Sequence, residues 1–343
     1  MLQELSLFRY QIPFTSPIRM GGQLQITRTG LLLRLTDADG FEGWGEAAPL
    51  PGFSHETIPE IVLQLGHLRT KNRLNPPPLP FKNWYPSVKF GLDTAFSDLQ
   101  SQKNGLPRYN TARKTVRLTM LLTGLPEACV HRAEQAAEQG YQAVKVKVGI
   151  GKPAQDAALV RRVAAIMGEG CALRLDANRA WTLKEALLFA EQLHGVPIEY
   201  IEEPLKSSRH LPEFARLTGM PIALDESLRD RAWDKLQQTS FRPAVLIYKP
   251  MLSVRPASWY LESGLPVVLS SSFESGVGIQ ALLALASYIG SPDTPIGLDT
   301  YNWLREDVLR PRLSLDAPVV DLEESLDRSH CVEVEKLELF HLG

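Results

Sequence analysis

The sequence predicts an α/β protein in which a TIM-like (β/α) barrel of seven or eight units, (β/α)7-8, follows an α+β amino-terminal unit. From Thr115 onward, short apolar segments alternate with amphipathic helical segments, which gives eight βα units in about 200 residues. A closed parallel barrel fits this repeat better than the alternative, a doubly wound open sheet. Before Thr115, long alternating strands are followed by helices. At 343 residues, 44% of them apolar, the chain is long enough for two domains.

The amino-terminal unit is predicted from segments in which apolar and polar residues alternate, as they do in half-buried strands. The predicted strands are Leu5–Ile12, Gln25–Leu35 and Phe41–Ala47. The sequence Asp37-Ala38-Asp39-Gly40 predicts a hairpin turn between the last two strands. The predicted helices, which a proline-rich stretch over residues 75–80 separates, are Ile58–Leu68 and Val88–Gln100.

The later predicted strands belong to the barrel, which we assign to residues 113–314. They are Val116–Leu122, Ala143–Val148, Ala172–Asp176, Ile198–Glu202, Ile222–Asp225, Ala244–Tyr248, Val267–Ser270 and Pro295–Asp299. Predicted helices between them include Pro126–Gln139, Pro153–Met167 and Leu183–Leu193. The amino-terminal domain is assigned to residues 1–112. The tail, residues 315–343, contains a strand-like segment at Val332–Phe340, and we expect it to return to that first domain.

Composition argues against several classes of partner. The 37 basic and 39 acidic side chains leave a net charge of −2, whereas a nucleic-acid surface usually shows a basic excess. No apolar run approaches the ~18 residues that a bilayer-spanning helix needs. Three cysteines, few and far apart, indicate reduced thiols rather than a disulfide framework or a zinc site. We therefore expect a cytoplasmic protein with no nucleic-acid or membrane partner.

Carboxylates stand at the ends of three successive predicted barrel strands. Asp176, Glu202 and Asp225 are separated by 26 (202 − 176) and 23 (225 − 202) residues, about one βα unit each. Such side chains converge at the catalytic face of a barrel, where they repel one another unless a cation neutralises them. A set of oxygen ligands favours Mg²⁺, with Mn²⁺ as an alternative ion. The competing interpretation, that each acid caps the next helix, has to hold three times in succession.

Lysines are predicted to reach the same place from two other strands. Lys145 and Lys147 share one face of the second barrel strand, while the valines between and beside them suit the helix-packed outer face. We expect burial to lower the pKa of such a lysine, so that it can act as a base. Lys249 follows the sixth strand, which lies roughly opposite the second in an eight-stranded barrel. The alternative is an edge strand with solvated lysines.

A serine-rich segment follows the seventh predicted strand and begins a helix. It contains Ser270 and Ser271, and residues 276–281 match the pattern G-x-G-x-x-A. A dinucleotide site is a poor interpretation, because this pattern is not in a first βαβ unit. We expect free amides at the helix start, with the serine hydroxyls, to bind a substrate carboxylate. Gly297 and Asp299 are expected to complete this rim of the barrel.

Several of these stretches together resemble a known family. The stretches are Lys145-Val146-Lys147, Asp176, Glu202-Glu203-Pro204, Asp225-Glu226-Ser227 and Lys249-Pro250. They resemble the enolase superfamily, in its muconate lactonizing subgroup. Within that subgroup the sequence is most similar to the o-succinylbenzoate synthase family. This similarity is carried by residues 174–181, 270–275 and 297–300, and residues 43–51 resemble the family's capping domain.

The resemblance implies a capping domain whose loops, near residues 16–22 and 49–55, close over the substrate. It implies a Mg²⁺-dependent dehydration of 2-succinyl-6-hydroxy-2,4-cyclohexadiene-1-carboxylate that creates an aromatic ring, in menaquinone or phylloquinone biosynthesis. The metal ligands it implies are Asp176, Glu202 and Asp225. The catalytic residues it implies are Lys147 as the base, Lys145 at the carboxylate, and Lys249 on the opposite face as a cation that stabilises the dienolate.

The resemblance also implies residues that hold or orient the substrate. These are Arg174, Ser270, Ser271 and Gly297, with Asn178 behind the metal ligands. Two other functions stay open: an N-succinyl- or N-acyl-amino acid racemase, which also needs two lysines on opposite faces of a carbon, and a barrel that binds a carboxylate or metal without catalysis. We expect a monomer that acts on a small-molecule carboxylate.

Overall fold

The computed structural model describes residues 2–70 and 84–340. The proline-rich stretch over residues 75–80 and the last three residues of the tail lie outside these ranges. The strands are β1 (Leu2–Met20), β2 (Gln23–Asp37), β3 (Glu42–Ala47), β4 (Thr115–Arg117), β5 (Met120–Leu122), β6 (Ala143–Lys147), β7 (Ala172–Asp176), β8 (Tyr200–Glu202), β9 (Ile222–Leu224), β10 (Val245–Tyr248), β11 (Val267–Leu269), β12 (Leu309–Arg310), β13 (Val319–Asp321), β14 (Cys331–Val332) and β15 (Glu338–Phe340).

The helices connect and cover these strands. They are α1 (Ile58–Thr70), α2 (Pro86–Asn104), α3 (Pro126–Glu138), α4 (Pro153–Met167), α5 (Leu183–Gln192), α6 (Leu211–Thr218), α7 (Glu226–Arg229), α8 (Trp233–Leu236), α9 (Ala257–Glu262), α10 (Gly276–Ala286) and α11 (Leu322–Ser325). Within the two described ranges, no helix combines the length and the apolarity that crossing a membrane requires.

The amino-terminal strands form an antiparallel sheet in the order β15-β1-β2-β3. Alternate residues of a strand point to opposite faces, and here both faces are buried. Leu5 and Leu7 pack with α1 and α2, whereas Phe8 and Tyr10 join the core of the barrel. The predicted turn at residues 37–40 is confirmed, since the Gly40 amide donates to the Asp37 carbonyl at 3.1 Å. We call this sheet and its helices the cap.

Close contact between α2 and β3 depends on glycine. A Cβ atom added at Gly45 would lie 1.9 Å from the carbonyl oxygen of Gly91 and 2.8 Å from the amide nitrogen of Ala95. Both of these atoms are helix backbone, which cannot swing aside as a side chain can. The absence of a side chain at Gly45 therefore sets the distance between the helix and the sheet.

The barrel is a curled parallel sheet in the order β5-β6-β7-β8-β9-β10-β11. Its six strands from β6 to β11 agree with prediction to within two residues at either end. Two residues close it where an eighth strand was predicted at Pro295–Asp299. Ile296 bridges in parallel to Leu118, and Gly297 bridges in parallel to Ser270. The TIM-like fold is confirmed, with its eighth position reduced to this short ladder.

Two predicted strands are wrong as continuous elements. The predicted segment Val116–Leu122 is broken, because β4 pairs antiparallel with β13 while β5 enters the barrel. The segment Val332–Phe340 is interrupted by a 3-10 turn at Val334–Lys336. Within the tail, β15 pairs with β1 of the cap, whereas β13 pairs with β4, which directly precedes the first barrel strand. The domain boundaries at residues 112 and 314 stay a prediction.

We expect Gly45→Ala to destabilise the protein by about 3 kcal/mol, because the new methyl group forces α2 away from β3. The measurement is the free energy of unfolding from urea denaturation. Gly170→Ala is the matched control, since a Cβ atom at Gly170 meets nothing within 4 Å. It should change stability by less than about 0.5 kcal/mol. Equal effects of the two substitutions would contradict the packing argument.

Candidate active site

Six charged side chains gather inside the barrel near the carboxyl ends of its strands. Two lie on β6, two end β7 and β8, and two directly follow β9 and β10. They are Lys145, Lys147, Asp176, Glu202, Asp225 and Lys249. The strand register brings them level, because Lys147 pairs with Asp176 and Asp176 pairs with Glu202 in the ladders. The predicted convergence of these residues is therefore present.

The two lysines of β6 contact the acids differently. The Nζ atom of Lys145 lies 2.5 Å from Glu202 Oε2 and 3.3 Å from Asp176 Oδ2. The Nζ atom of Lys147 contacts only one of these acids, Asp176, at 3.3 Å. The side chain of Lys147 is also more exposed than that of Lys145, 23% against 13%. Lys147 is therefore the less constrained member of the pair.

Lys249 reaches the acids from the other side of the barrel. Its Nζ atom lies 2.6 Å from Asp225 Oδ2 and 3.6 Å from Glu202 Oε1. Glu202 thus lies between lysines from β6 and from the end of β10. The arrangement matches the expectation that lysines face one space from two sides.

The expectation that burial lowers the pKa of the lysines on β6 is wrong for Lys145. Burial lowers the pKa of Lys145, but the carboxylates of Asp176 and Glu202 outweigh it and raise the pKa well above its usual range. Burial also acts to lower the pKa of Lys249, but the charges of Asp225 and Glu202 overcome it and leave that pKa raised. The carboxylates approach these lysines to within 2.5–2.6 Å, and at this distance their charges outweigh the effect of burial.

The same contacts shift the pKa values of two of the acids in opposite directions. Burial raises the pKa of Asp176, but Lys145 and Lys147 reverse the effect and hold it well below the ordinary value. Burial and the neighbouring charge of Asp176 raise the pKa of Glu202 despite its lysine partners. Crowded carboxylates show such opposite pKa shifts because the nearby ammonium groups cannot stabilise all of their negative charges equally.

The three carboxylates suit a hard divalent cation in their chemistry. They offer only oxygen atoms, and Glu202 Oε1 is buried without a hydrogen-bond partner. Yet across residues 2–70 and 84–340, no three His, Cys, Asp or Glu side chains are placed closely enough to hold a metal ion. In this arrangement the ammonium groups of Lys145 and Lys249 lie between the acids. The donor set therefore fits a hard divalent cation in its chemistry, while its oxygen atoms are paired with ammonium groups.

A further acid, which the sequence analysis named within the stretch Glu202-Glu203-Pro204 but gave no role, supports this cluster. Glu203 Oε1 accepts hydrogen bonds from the amides of Asp225 and Ser227, at 3.0 and 2.6 Å. Its Oε2 accepts from Arg179 Nε at 3.0 Å. Glu203 follows Glu202 directly in the chain, and that adjacent pair of acids was the available signal.

Asn178 lies where it was expected, beside the acids. Its amide donates to Asp176 Oδ1 at 3.1 Å, and its Nδ2 donates to Glu226 Oε1 at 3.0 Å. Burial, together with the charges of Asp225 and Glu203, raises the pKa of Glu226 to about 8. The role of Asn178 stays a prediction.

Arg229 joins the acid cluster to the cap. Its Nε lies 3.2 Å from Asp225 Oδ1, and its Nη1 donates to the carbonyl of Phe53 at 3.1 Å. The guanidinium also stacks over the Phe53 ring, 5.7 Å from its centre. The loop at residues 49–55 therefore touches the residue that orients Asp225. Arg229 was missed, although it lies four residues after Asp225 on one helical turn.

Arg174 points away from the acids. It is buried, and its Nε lies 2.5 Å from Glu199 Oε2, while its Nη1 donates to Thr119 Oγ1 at 2.8 Å and to the Pro295 carbonyl at 2.6 Å. These partners lie at the amino-terminal ends of the strands, opposite the acid cluster. Arg174 and Asp176 lie two residues apart on β7 and share one face of that strand, but the long side chain of Arg174 extends to the amino-terminal end of the barrel, which we call the barrel floor.

Ser270, Ser271 and Gly297 come together where the barrel closes. The Ser271 amide donates to the Gly297 carbonyl at 2.7 Å, and the Ser271 hydroxyl lies 2.6 Å from Thr300 Oγ1. A Cβ atom at Gly297 would lie 3.0 Å from Ser270 Oγ. Glycine therefore keeps the space beside the Ser270 hydroxyl open.

The Asp299 side chain connects neighbouring elements at this rim by hydrogen bonds. Its Oδ2 accepts hydrogen bonds from the Leu121 amide and from Arg132 Nη2, each at 2.8 Å. The carboxylate thereby joins the end of the short eighth segment to β5 and α3.

The expectation of free amides at the start of α10 is wrong. Glu46, from β3 of the cap, accepts hydrogen bonds from the Ser275 amide at 3.0 Å and from the Gly278 amide at 2.9 Å. Asp307 accepts from the Gly276 amide at 2.8 Å. A buried carboxylate of the protein itself thus takes the place that was expected for a substrate carboxylate.

Tyr10 and Arg28 complete this contact between cap and barrel. The Tyr10 hydroxyl donates to Glu46 Oε1 at 2.5 Å. Burial raises the pKa of Glu46, against the lowering effect of its bonds from Ser275 and Tyr10. Arg28, also buried, donates to the carbonyls of Phe273 at 2.9 Å and Pro49 at 2.8 Å. It therefore holds the start of the loop at residues 49–55 against the serine-rich loop.

Comparison with known proteins covers both domains. Residues 2–99 match the family model described as MenC, N-terminal domain, and residues 128–239 match Enolase C-terminal domain-like. An o-succinylbenzoate synthase of Edwardsiella ictaluri is 34% identical over 335 residues, which are 95% of this chain and 98% of that protein. A Haemophilus influenzae o-succinylbenzoate synthase is 34% identical over 333 residues, 94% of this chain and 97% of that protein. The chain belongs to the o-succinylbenzoate synthase family.

Solved structures agree with this family. The o-succinylbenzoate synthase from Thermosynechococcus elongatus, complexed with Mg in the active site, has a TM-score of 0.71 and 26% identity, covering 91% of this chain and 96% of that one. A dipeptide epimerase from Cytophaga hutchinsonii, complexed with Mg and a dipeptide, has a TM-score of 0.81 at 19% identity, covering 99% of each chain. The second likeness shows the shared fold. The resemblance to the enolase superfamily is confirmed.

We expect Glu46→Ala to lower the free energy of unfolding by about 3 kcal/mol, because it leaves the buried amides of Ser275 and Gly278 without an acceptor. Thermal and urea denaturation measure the change. Glu138→Ala, at an exposed position of α3, is the control and should change stability by less than about 0.5 kcal/mol. If Glu46→Ala lowers stability no more than the control does, the buried Glu46 carboxylate does not cap α10 as described.

Proposed function

We propose that the chain is an o-succinylbenzoate synthase, which dehydrates 2-succinyl-6-hydroxy-2,4-cyclohexadiene-1-carboxylate to 2-succinylbenzoate in menaquinone or phylloquinone biosynthesis. The observation that carries the proposal is the set of three strand-end carboxylates with lysines on two sides of them. Similarity to synthases over nearly the whole chain supports the choice of reaction.

Asp176, Glu202 and Asp225 would hold Mg²⁺, with Mn²⁺ as an alternative ion. The chemistry that the ion supplies when bound is attraction for the substrate carboxylate and for the negative charge that develops on it. A bound ion would also neutralise the acids that Lys145 and Lys249 now contact.

Lys147 is the proposed base. It removes the proton next to the ring carboxylate and then gives it to the departing hydroxyl, so that a C–H bond and a C–O bond break, a ring double bond forms and water leaves. Its single acid contact at 3.3 Å and its greater exposure suit this role. Lys145, whose Nζ lies beside both Asp176 and Glu202, is proposed to stabilise the substrate carboxylate through its charge.

Lys249 is proposed to stabilise the dienolate from the opposite face, through its charge and by a cation–π contact with the ring. Its raised pKa keeps the ammonium form that this role needs. Ser270, Ser271 and Gly297 are proposed to position the succinyl group, since they line one wall where the barrel closes. For Arg174 we now propose an indirect role, in which it fixes the barrel floor beneath Asp176.

An N-succinyl- or N-acyl-amino acid racemase is the second candidate. Lysines that face one space from β6 and from the end of β10 are the arrangement that a two-base racemisation needs. The two activities share proton removal next to a carboxylate. They differ in the fate of the enolate, which loses hydroxide in the synthase and regains a proton in the racemase. We further propose that the protein acts as a monomer in the cytoplasm on a small-molecule carboxylate.

Turnover of the cyclohexadiene substrate with Mg²⁺ tests the proposal directly, with formation of the aromatic product followed by absorbance. Lys147→Ala and Lys249→Ala should each reduce kcat by about 10³-fold. Lys184→Ala, an exposed lysine of α5, should leave kcat unchanged. Absence of turnover in the unaltered protein, with deuterium exchange into N-succinyl amino acids instead, would establish the racemase. A fully active Lys147→Ala variant would refute the assignment of the base.

Metal binding can be tested separately from turnover. We expect Asp225→Asn to weaken Mg²⁺ binding by more than about 100-fold, as titration calorimetry would measure. Loss of a hydrogen-bond partner behind a metal ligand costs about 10- to 100-fold in affinity, and loss of a ligand should cost more. Removal of Mg²⁺ with a chelator should abolish activity, and addition of Mg²⁺ should restore it. Asp293→Asn, at an exposed loop position, is the control. Unchanged affinity in Asp225→Asn would remove this residue from the ligand set.

A further inference from the structure

A cavity, which we call the cleft, lies between the cap and the outside of the barrel. Its volume is about 560 Å³, and it is bounded by α2, by α10 and by the turn that follows β10. None of the six charged residues of the active site lines it. Tyr248 and Pro250, the chain neighbours of Lys249, form part of its floor. The cavity is therefore separate from the active site but lies against the strand that carries Lys249.

The walls of this cleft are largely apolar and aromatic. Phe90 comes from α2, Trp44 from β3, and Tyr248 and Pro250 from the barrel. Tyr288, two residues after the end of α10, is 57% exposed although it is a large aromatic side chain. Flat apolar surfaces on several sides of a cleft of this volume suit a ligand with an aromatic or large aliphatic group.

Two opposite charges in the cleft form no ion pair or hydrogen bond within the part of the chain that the structure describes, although the charge of one acts on the other. Lys89 and Asp93 lie one turn apart on α2, and among the described residues neither side chain forms an ion pair or a hydrogen bond. The other charged residues that line the cleft are paired. Arg108 lies 3.4 Å from Asp98, and Arg255 forms an ion pair with Asp234.

The carboxylate of Asp93 is accessible to water but is surrounded by the walls of the cleft. It is exposed to water within the cleft, but burial by the surrounding walls raises its pKa to about 6, more than the positive charge of Lys89 lowers it. A carboxylate held in a concave apolar environment gains more from a cationic partner than one on an open surface does.

We propose that this cleft binds a zwitterionic α-amino acid with an aromatic or large apolar side chain. The ligand's ammonium group pairs with Asp93, its carboxylate pairs with Lys89, and its side chain packs among Phe90, Tyr248 and Tyr288. A simple amine or a simple carboxylate satisfies only one of these two charges. This assignment concerns a site outside the barrel interior and does not depend on the proposed function.

Titration calorimetry on the full chain tests the site, with L-phenylalanine and L-tryptophan as probes. We expect saturable binding of at least one of them at millimolar concentrations or below. Phenethylamine, which lacks the carboxylate, and 3-phenylpropionate, which lacks the ammonium group, should each bind at least tenfold more weakly. Absence of saturable binding of both amino acids overturns the proposal.

Variants locate the binding. Asp93→Asn and Lys89→Met should each weaken amino-acid binding at least tenfold, and Asp93→Asn should leave the weak binding of 3-phenylpropionate unchanged. The controls Asp293→Asn and Lys184→Met, which alter the same charges at exposed positions elsewhere, should have no effect. Ala281→Phe, which fills the cleft from α10, should abolish binding while the circular dichroism spectrum stays unchanged. Full affinity in both charge variants would place the ligand elsewhere and overturn the proposal.

Discussion

The structure depends on neutralising charges that the barrel buries at the carboxyl ends of its strands. Glu202 is fully buried and Asp225 nearly so, and neither is stable there as an isolated ion. Lysines from β6 and from the end of β10 supply the opposite charge. These lysines face the same space as the acids, so the proposed metal site and the proposed base use the side chains that also neutralise the buried charges.

The cap is joined to this centre by buried charges that bind main-chain groups. Glu46 accepts from the first amides of α10, and Arg28 donates to carbonyls on both sides of the junction. Arg229 extends the connection from Phe53 to Asp225. Apolar residues of β1 and β2 share one core with the barrel. The position of the loop at residues 49–55 is therefore fixed by contacts that also order the acid cluster.

The features of the fold and site that could be predicted from the sequence are those marked by a local motif or by a repeated spacing. Asp176, Glu202 and Asp225 recur at the spacing of one βα unit, so their convergence followed from the barrel alone. The capping of α10 was not predictable in this way, because Glu46 lies 229 positions before Ser275. Arg174 shared a face with Asp176, but alternation along a strand does not tell where a long side chain ends. The raised pKa values of Lys145 and Lys249 depend on distances of a few ångström, which a strand pattern does not contain.

The pairing of β15 with β1 has a consequence for how the chain folds. Leu7 and Phe340 are partners in this ladder although they lie 333 positions apart (340 − 7). During synthesis the amino-terminal strands leave the ribosome long before their last neighbour exists, so one edge of β1 stays unpaired while the whole barrel is made. A contact of this sequence separation also carries a large loop-closure entropy, which slows folding. The amino-terminal sheet is thus made first and completed last, and the open edge of β1 is a site where the nascent chain can aggregate.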